Sequence, residues 1–210
     1  MPEYAIELDD IRAGYDDRLV FDGLSARFPA STVTAVTGAN GAGKSTLLAV
    51  IAGVQPLHGG AVRRASTRIA FVPQRSAVTD RLPVTVADVV GMGRWAGGRF
   101  FGRSTATDRM IVAESIRALG LDGLERRSLS SLSGGQRQRA IVAQGLAQRA
   151  DILLLDEPTV GLDEEAHELI GDAIAGAAAR GACVIHATHD MRSITSADAA
   201  FVVSPAKVSS

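Results

Sequence analysis

The run Gly38-Ala39-Asn40-Gly41-Ala42-Gly43-Lys44-Ser45 lies between the β-branched stretch Thr32 to Thr37 and the apolar segment Thr46 to Ala52. It constrains this chain more than any other feature. It reads as strand, tight turn and helix in immediate succession, with the helix stopped at Gly53. The glycines let backbone N–H groups turn inward around an anion, and the N-terminus of the following helix adds positive partial charge there. A Gly-rich turn can arise by chance, but the flanking strand and helix give this one the context of a P-loop, the phosphate-cradling pattern of nucleotide sites. Of the 22 basic residues only Lys44 and Lys207 are lysines. A compact ammonium fits between phosphates where a guanidinium would crowd them, so Lys44 suits the β and γ phosphates and the Ser45 hydroxyl suits Mg²⁺.

The remaining pattern extends this unit into a mainly parallel α/β sheet. Ile152 to Leu155 is a continuous apolar run, as a strand covered on both faces requires. It delivers Asp156 to the sheet edge where the P-loop lies, positioned to hold the Mg²⁺ shell. Glu157 points differently and can polarise an attacking water as general base. An acidic pair at a strand end can also be a helix cap, but Pro158 and Thr159 follow it. Asp163 caps a helix with Glu164 and Glu165 in its first turn, and Ala166, Leu169, Ile170, Ala173, Ile174 and Ala177 form its inner stripe up to Gly181. Cys183 to Ala187 and Ala199 to Val203 complete the sheet. Residues 1 to 30 alternate as an antiparallel β layer. Residues of about 80 to 131 change texture, with helices expected at Val86 to Met92 and Arg109 to Leu119, and read as a helical subdomain inserted into a core of 1–79 and 132–210. Between those helices, Gly93 to Arg99 is either a hinge or a plain surface loop.

Composition excludes several classes. The 210 residues, 46% hydrophobic and 21% charged, suit one globular domain. A net charge of −1 and 4% aromatics supply neither field nor stacking for nucleic acid. Glu3, Glu7, Asp9 and Asp10 occupy the start, with no secretory pattern, and no apolar run approaches a membrane span. A cytoplasmic protein is expected, reaching a membrane through a partner. Cys183 reads as a core residue of a reducing compartment. The three-residue spacing of His186 and His189 across a strand end puts them on different faces, so no metal pair is expected, and His58 and His167 read as solvated.

A second motif, Leu132-Ser133-Gly134-Gly135-Gln136, precedes the acidic strand by twenty residues and opens a helix of about 135 to 148. Its glycines permit a close backbone approach, so Ser133 and nearby N–H groups present a second anion-binding surface, facing outward. With these residues in place, nearly the whole chain resembles the ATP-binding cassette (ABC) ATPases. The P-loop at 38–46, Gln74 in Phe71-Val72-Pro73-Gln74, the pentapeptide, Asp156-Glu157, Gly161-Leu162-Asp163 and His189 in Thr188-His189-Asp190 stand in that family's order and spacing.

The resemblance implies a P-loop NTPase fold and ATP hydrolysis with Mg²⁺ held by Ser45, Gln74 and Asp156. It implies Glu157, Gln74 and His189 as catalytic, with His189 on the γ-phosphate. ATP contacts are implied at Gly38, Ala39, Asn40, Gly41, Ala42, Gly43, Lys44, Ser45 and Thr46, with Tyr15 stacked on adenine. Read alone, Gln74 is equally a surface glutamine, Tyr15 a turn aromatic and His189 a helix-start residue. Leu132, Ser133, Gly134, Gly135 and Gln136, with Asp163 in the D-loop, would act on ATP held by a second copy in a head-to-tail homodimer, so that hydrolysis removes the γ-phosphate holding the interface.

The stretches Gln74 to Val78 and Leu82 to Arg94 look like the ATPases of importers for zinc, manganese and iron chelates. That likeness implies a separate transmembrane permease, an extracytoplasmic substrate-binding protein as indirect partner, and a place at the inner face of the membrane. After Val203 the sequence ends without the hairpin and helices common in the family, which reads as a minimal core. The alternative from another class is a soluble cassette ATPase serving as an assembly factor, for example for iron-sulfur clusters.

Overall fold

Apolar side chains recur along Tyr4–Tyr15 (β1) and Arg18–Pro29 (β2), and these segments pair as two antiparallel strands of 12 residues each. The structure is a computed structural model and describes residues 4–15, 18–74, 84–95 and 104–204. Gly59–Arg64 (β4) joins the other side of β1, giving the order β2-β1-β4 in one small sheet. A second sheet is wholly parallel. It contains Val33–Thr37 (β3), Ile69–Val72 (β5), Ile152–Asp156 (β6), Cys183–Ala187 (β7) and Ala199–Val202 (β8), in the order β5-β6-β7-β3-β8.

The apolar runs explain the layering. Along β6, Ile152 and Leu154 join the core shared with β1, β2 and Lys44–Ala52 (α1), whereas Leu153 and Leu155 join the core on the opposite face. Alternate side chains of one strand therefore fill two cores, as in a parallel sheet covered on both sides. The second core is closed by Val86–Met92 (α2), Ala106–Ala118 (α3), Gly134–Ala147 (α4) and Glu164–Ala179 (α5). A short helix, Met191–Thr195 (α6), connects β7 to β8.

Helix starts follow the caps. α2 begins where expected because the Thr85 side chain accepts from the Asp88 amide while Asp88 accepts from the Thr85 amide. α3 begins at Ala106 rather than Arg109, because Thr105 and Asp108 form the same reciprocal box. Hydrogen bonds from Thr105, joined by Arg94, hold the Asp108 carboxyl well below the usual range. Arg94 Nε lies 3.0 Å from Asp108 while its Nη1 donates to the Ala147 carbonyl at 2.7 Å, so this one side chain ties α3 to the C-terminal end of α4. Residues 75–83, 96–103 and 205–210 lie outside the described residues. They include residues 75–78 and 82–83 of the stretches compared with metal importers, part of the Gly93 to Arg99 loop, and Pro205 to Lys207.

Candidate functional site

The P-loop forms where β3 delivers the chain to α1. Gly43 takes φ 103° at the helix N-cap, and a Cβ there would lie 2.4 Å from Val20 Cγ1 and 2.9 Å from Phe21 Cζ on β2. Both the backbone angle and the close approach of β2 therefore require glycine at this position. Lys44 is 7% exposed and folds back over the loop, its Nζ donating to the carbonyls of Gly38 at 2.9 Å and Ala39 at 3.3 Å. A buried ammonium held by two carbonyls, at the first residue of a helix, suits an anion there. Ser45 is exposed at the mouth of this loop, and Thr46 is buried beneath it.

Asp156, at the end of β6, is 4% exposed, and its Oδ1 has no hydrogen-bond partner. Burial raises its pKa most and the Glu157 charge adds to the rise, against the Ser45 hydroxyl, the Gln74 amide and the Lys44 ammonium, which lower it. A buried carboxylate oxygen without a partner, beside a serine hydroxyl, is a pair of hard oxygens that fits Mg²⁺. Gln74 is exposed just after β5, where the order β5-β6 brings its backbone N–H to the carboxylate of Asp156.

Glu157 is a non-glycine residue in the left-handed region, at φ 51°, with its amide donating to Ala187 O at 3.0 Å. That bond bridges the ends of β6 and β7 at a residue held in an uncommon backbone conformation. Its carboxylate, on a side chain only 9% exposed, accepts from His189 Nδ1 at 3.0 and 3.2 Å. Two residues 32 apart in the chain thus meet at one sheet edge. A carboxylate held beside a histidine, next to an anion loop and a cation site, can take a proton from a water poised for in-line attack.

Ser133 is the N-cap of α4, its side chain accepting from the Gln136 amide while the Gln136 side chain accepts from the Ser133 amide. The amides of Gly134 and Gly135 have no acceptor among the described residues, so the first turn keeps donors available to an external anion. Leu132 is buried and anchors this turn. A Cβ on Gly135 would meet Leu162 Cδ2 at 3.4 Å, so the pentapeptide and the Gly161–Asp163 loop lie side by side. Asp163 caps α5, accepting from the Ala166 amide at 2.9 Å. Tyr15, 54% exposed, ends β1 and pairs with Arg18, two residues before the strand segment that touches Gly43.

Three other residues behave differently from one another. Cys183 is buried, and its thiol is pushed up to about 12 by burial, as befits a core residue. His167 corrects the expectation of a solvated side chain: its Nε2 lies 3.0 Å from Asp190 Oδ2 and 2.9 Å from Ser193 Oγ. Its place beside the inner-stripe residue Ala166, and the Asp190-x-x-Ser193 cap, are the signals that could have flagged it. His186 and His189 are not a pair: His186 is buried, with Nε2 unpartnered, while the His189 side chain is 60% exposed. Among the described residues no group of three or more His, Cys, Asp or Glu could hold a metal.

Burial lowers the His186 pKa to about 4. The unfolded chain, with its imidazole near 6.5, binds more protons between those values, so stability rises with pH across this window and is lost as pH falls through it. From about pH 7 to about pH 5 the wild type should lose about 2 kcal/mol more than His186→Leu. Urea unfolding at both pH values checks this, and equal losses would place the proton uptake elsewhere.

Residues 21–160 match the family described as ABC transporter. The zinc transport system ATP-binding protein TroB of Treponema pallidum is 36% identical over 198 residues, covering 91% of this chain and 74% of that protein. The manganese transport system ATP-binding protein MntB of Halalkalibacterium halodurans is 33% identical over 195 residues, covering 90% and 78% respectively. A metal-chelate type ABC transporter solved in an inward-facing conformation superposes with a TM-score of 0.83 at 28% identity, covering 95% of this chain and 80% of that one.

Proposed function

Since this chain belongs to the ABC transporter family and is an ATP-binding, ATP-hydrolysing subunit of that kind, we propose that it energises uptake of a metal ion such as zinc or manganese, or of a metal chelate, through a separate permease. The observation carrying the metal reading is the identity to zinc and manganese transport subunits over about nine-tenths of the chain. No helix among the described residues is long and apolar enough to cross a membrane. In this reading the chain sits on the cytoplasmic face, bound to the permease, and an extracytoplasmic binding protein delivers the substrate. The cargo passes through the permease and touches no residue of this chain. Residues of about 80 to 131 form the lobe that docks on the permease, and 1–79 with 132–210 form the ATP-binding core.

The P-loop amides and Lys44 bind the phosphates, and Tyr15 offers its exposed ring to the adenine. Ser45, Asp156 and Gln74 would hold Mg²⁺, which when bound neutralises charge on the phosphate oxygens. Glu157 takes the proton of the attacking water, and His189, held by that carboxylate, contacts the γ-phosphate. The Leu132–Gln136 turn and the adjoining Asp163 loop have no anion of their own within the chain. They face a second copy, so two ATPs are enclosed in a head-to-tail homodimer and closure drives the permease.

The test is capture of the tagged chain from detergent-solubilised membranes, together with uptake of radioactive zinc and manganese by cells lacking its gene. Co-purification of a multi-span membrane protein and reduced uptake of either metal are expected. Stable capture of soluble scaffold proteins alone, with both uptakes unchanged, would overturn the reading.

A further inference from the structure

Only Ser193 of the five residues of α6 is buried. Beneath the helix, between α5, β3 and β7, lies a cavity of about 480 Å³ whose lining includes Val33, Ile174 and His186. A short helix standing over a cavity takes little of its position from packing. Polar links to α5 supply the rest. His167 Nε2 reaches Asp190 Oδ2 at 3.0 Å and Ser193 Oγ at 2.9 Å, and Arg192 Nη1 donates to Glu164 at 2.7 Å. The Arg192 and Glu164 side chains are 65% and 70% exposed, where an ion pair contributes little. The His167 side chain is 18% exposed and reaches the buried Ser193 as well as Asp190, whose side chain is 40% exposed, so this link is better shielded than the Arg192–Glu164 pair.

Asp190 can hold this imidazole because it stays ionised. The Ser193 amide donates to it at 2.9 Å, and this bond leads the causes that lower its pKa. An anionic Asp190 fixes the tautomer, with the His167 Nε2–H pointing at the carboxylate and Ser193 Oγ sharing it. Asp190 is also the residue that follows His189. On the other side of His189, Thr188 donates its amide to Val36 O at 3.0 Å and is fixed in the sheet. The backbone of His189 is therefore held upstream by β3 and downstream by the cap that His167 grips. His167 itself sits one turn into α5, its amide donating to Asp163 O at 3.1 Å. That turn carries the Gly161–Asp163 loop, which lies against the start of α4.

We propose that His167 is a positioning residue for ATP turnover, holding His189 in register with the first turn of α5 and so tying the γ-phosphate contact to the loop that faces the second copy. This rests on the reading of His189 as that contact. Displacing His189 by a fraction of an ångström to one ångström should cost roughly 10-fold to 100-fold in kcat. Nucleotide affinity, set by the P-loop, should be untouched.

The test uses the full chain and measures ATP turnover and the binding of a fluorescent ATP analogue in His167→Leu, His167→Gln, His189→Ala and the double variant His167→Leu/His189→Ala. Expected are a kcat loss of at least about tenfold in His167→Leu with affinity within about twofold, and substantial recovery in His167→Gln, whose Nε2 still donates to Asp190. No further loss is expected in the double variant beyond His189→Ala. A normal kcat in His167→Leu, an equal loss in His167→Gln, or an additional loss in the double variant would overturn the positioning role while leaving the reading of His189 intact. A normal kcat in His189→Ala would overturn that reading, and the proposal with it.

Discussion

Replacing Glu157 by Gln should abolish turnover, lowering kcat by about 10²-fold to 10⁴-fold, while ATP binding stays within about twofold. The change keeps the shape of the side chain and removes only its ability to take a proton. Glu157 holds φ 51° through the bond of its amide to Ala187 O, which a change of side chain does not touch. The Gln Oε1 can still accept from His189 Nδ1, now 3.0 Å from the carboxylate, so the histidine should keep its place. Lys44, Ser45 and the loop amides are unaltered, and so are the groups proposed to hold Mg²⁺. A variant that binds but cannot release the γ-phosphate should accumulate as an ATP-bound dimer. Phosphate-release kinetics and size-exclusion chromatography with ATP check both halves. Hydrolysis near the normal rate would remove Glu157 from the role of base and assign its strained backbone to the β6–β7 bridge alone.

What could be read from the residues in advance was whatever the local chain dictates. The P-loop conformation demands glycine at fixed offsets, and Gly43 meets that demand against Val20 and Phe21. β6 and β7 are buried along their whole length, which leaves uninterrupted apolar runs. α5 announces itself by the Asp163 cap and its inner stripe. β4 carries no strand signal of its own, because Gly59, Gly60, Arg63 and Arg64 give it no apolar alternation; its place comes from pairing with β1. β5 has only four residues, too few for a period.

The site divides in the same way. Each motif is a local pattern, but the meeting of Glu157 with His189 depends on β6 and β7 being neighbours, and that of Gly135 with Leu162 on α4 lying beside the α5 cap. Strand order is set by the whole chain, so no short stretch of sequence contains it. His167 reads as solvated in the sequence for a related reason. Its own surroundings in the sequence look like a helix surface, and what shields it is α6, more than twenty residues further along.

Replacing Ser133 by Arg should leave the chain able to bind ATP as a monomer and unable to dimerise with it. Ser133 is exposed, and its hydroxyl accepts from the Gln136 amide at 3.2 Å, so losing this cap costs about 1 kcal/mol. Leu132 remains buried beneath the turn, and α4 is 14 residues long, so a loss of that size should not unfold it. The larger effect is on the outward face. The open amides of Gly134 and Gly135 would be covered by a long side chain whose guanidinium fills the space meant for an incoming phosphate. The P-loop opens α1, which packs on the opposite face of the parallel sheet from α4, and is not touched, so monomer affinity should stay within about twofold of the wild type. Light scattering with and without ATP, in a background that also carries Glu157→Gln to prevent hydrolysis, separates the two effects. The single variant Glu157→Gln should double in mass on adding ATP, and the double variant should not. If both dimerise alike, the pentapeptide does not clasp the nucleotide of a second copy, and the open amides at the start of α4 serve some contact within the chain or with the permease.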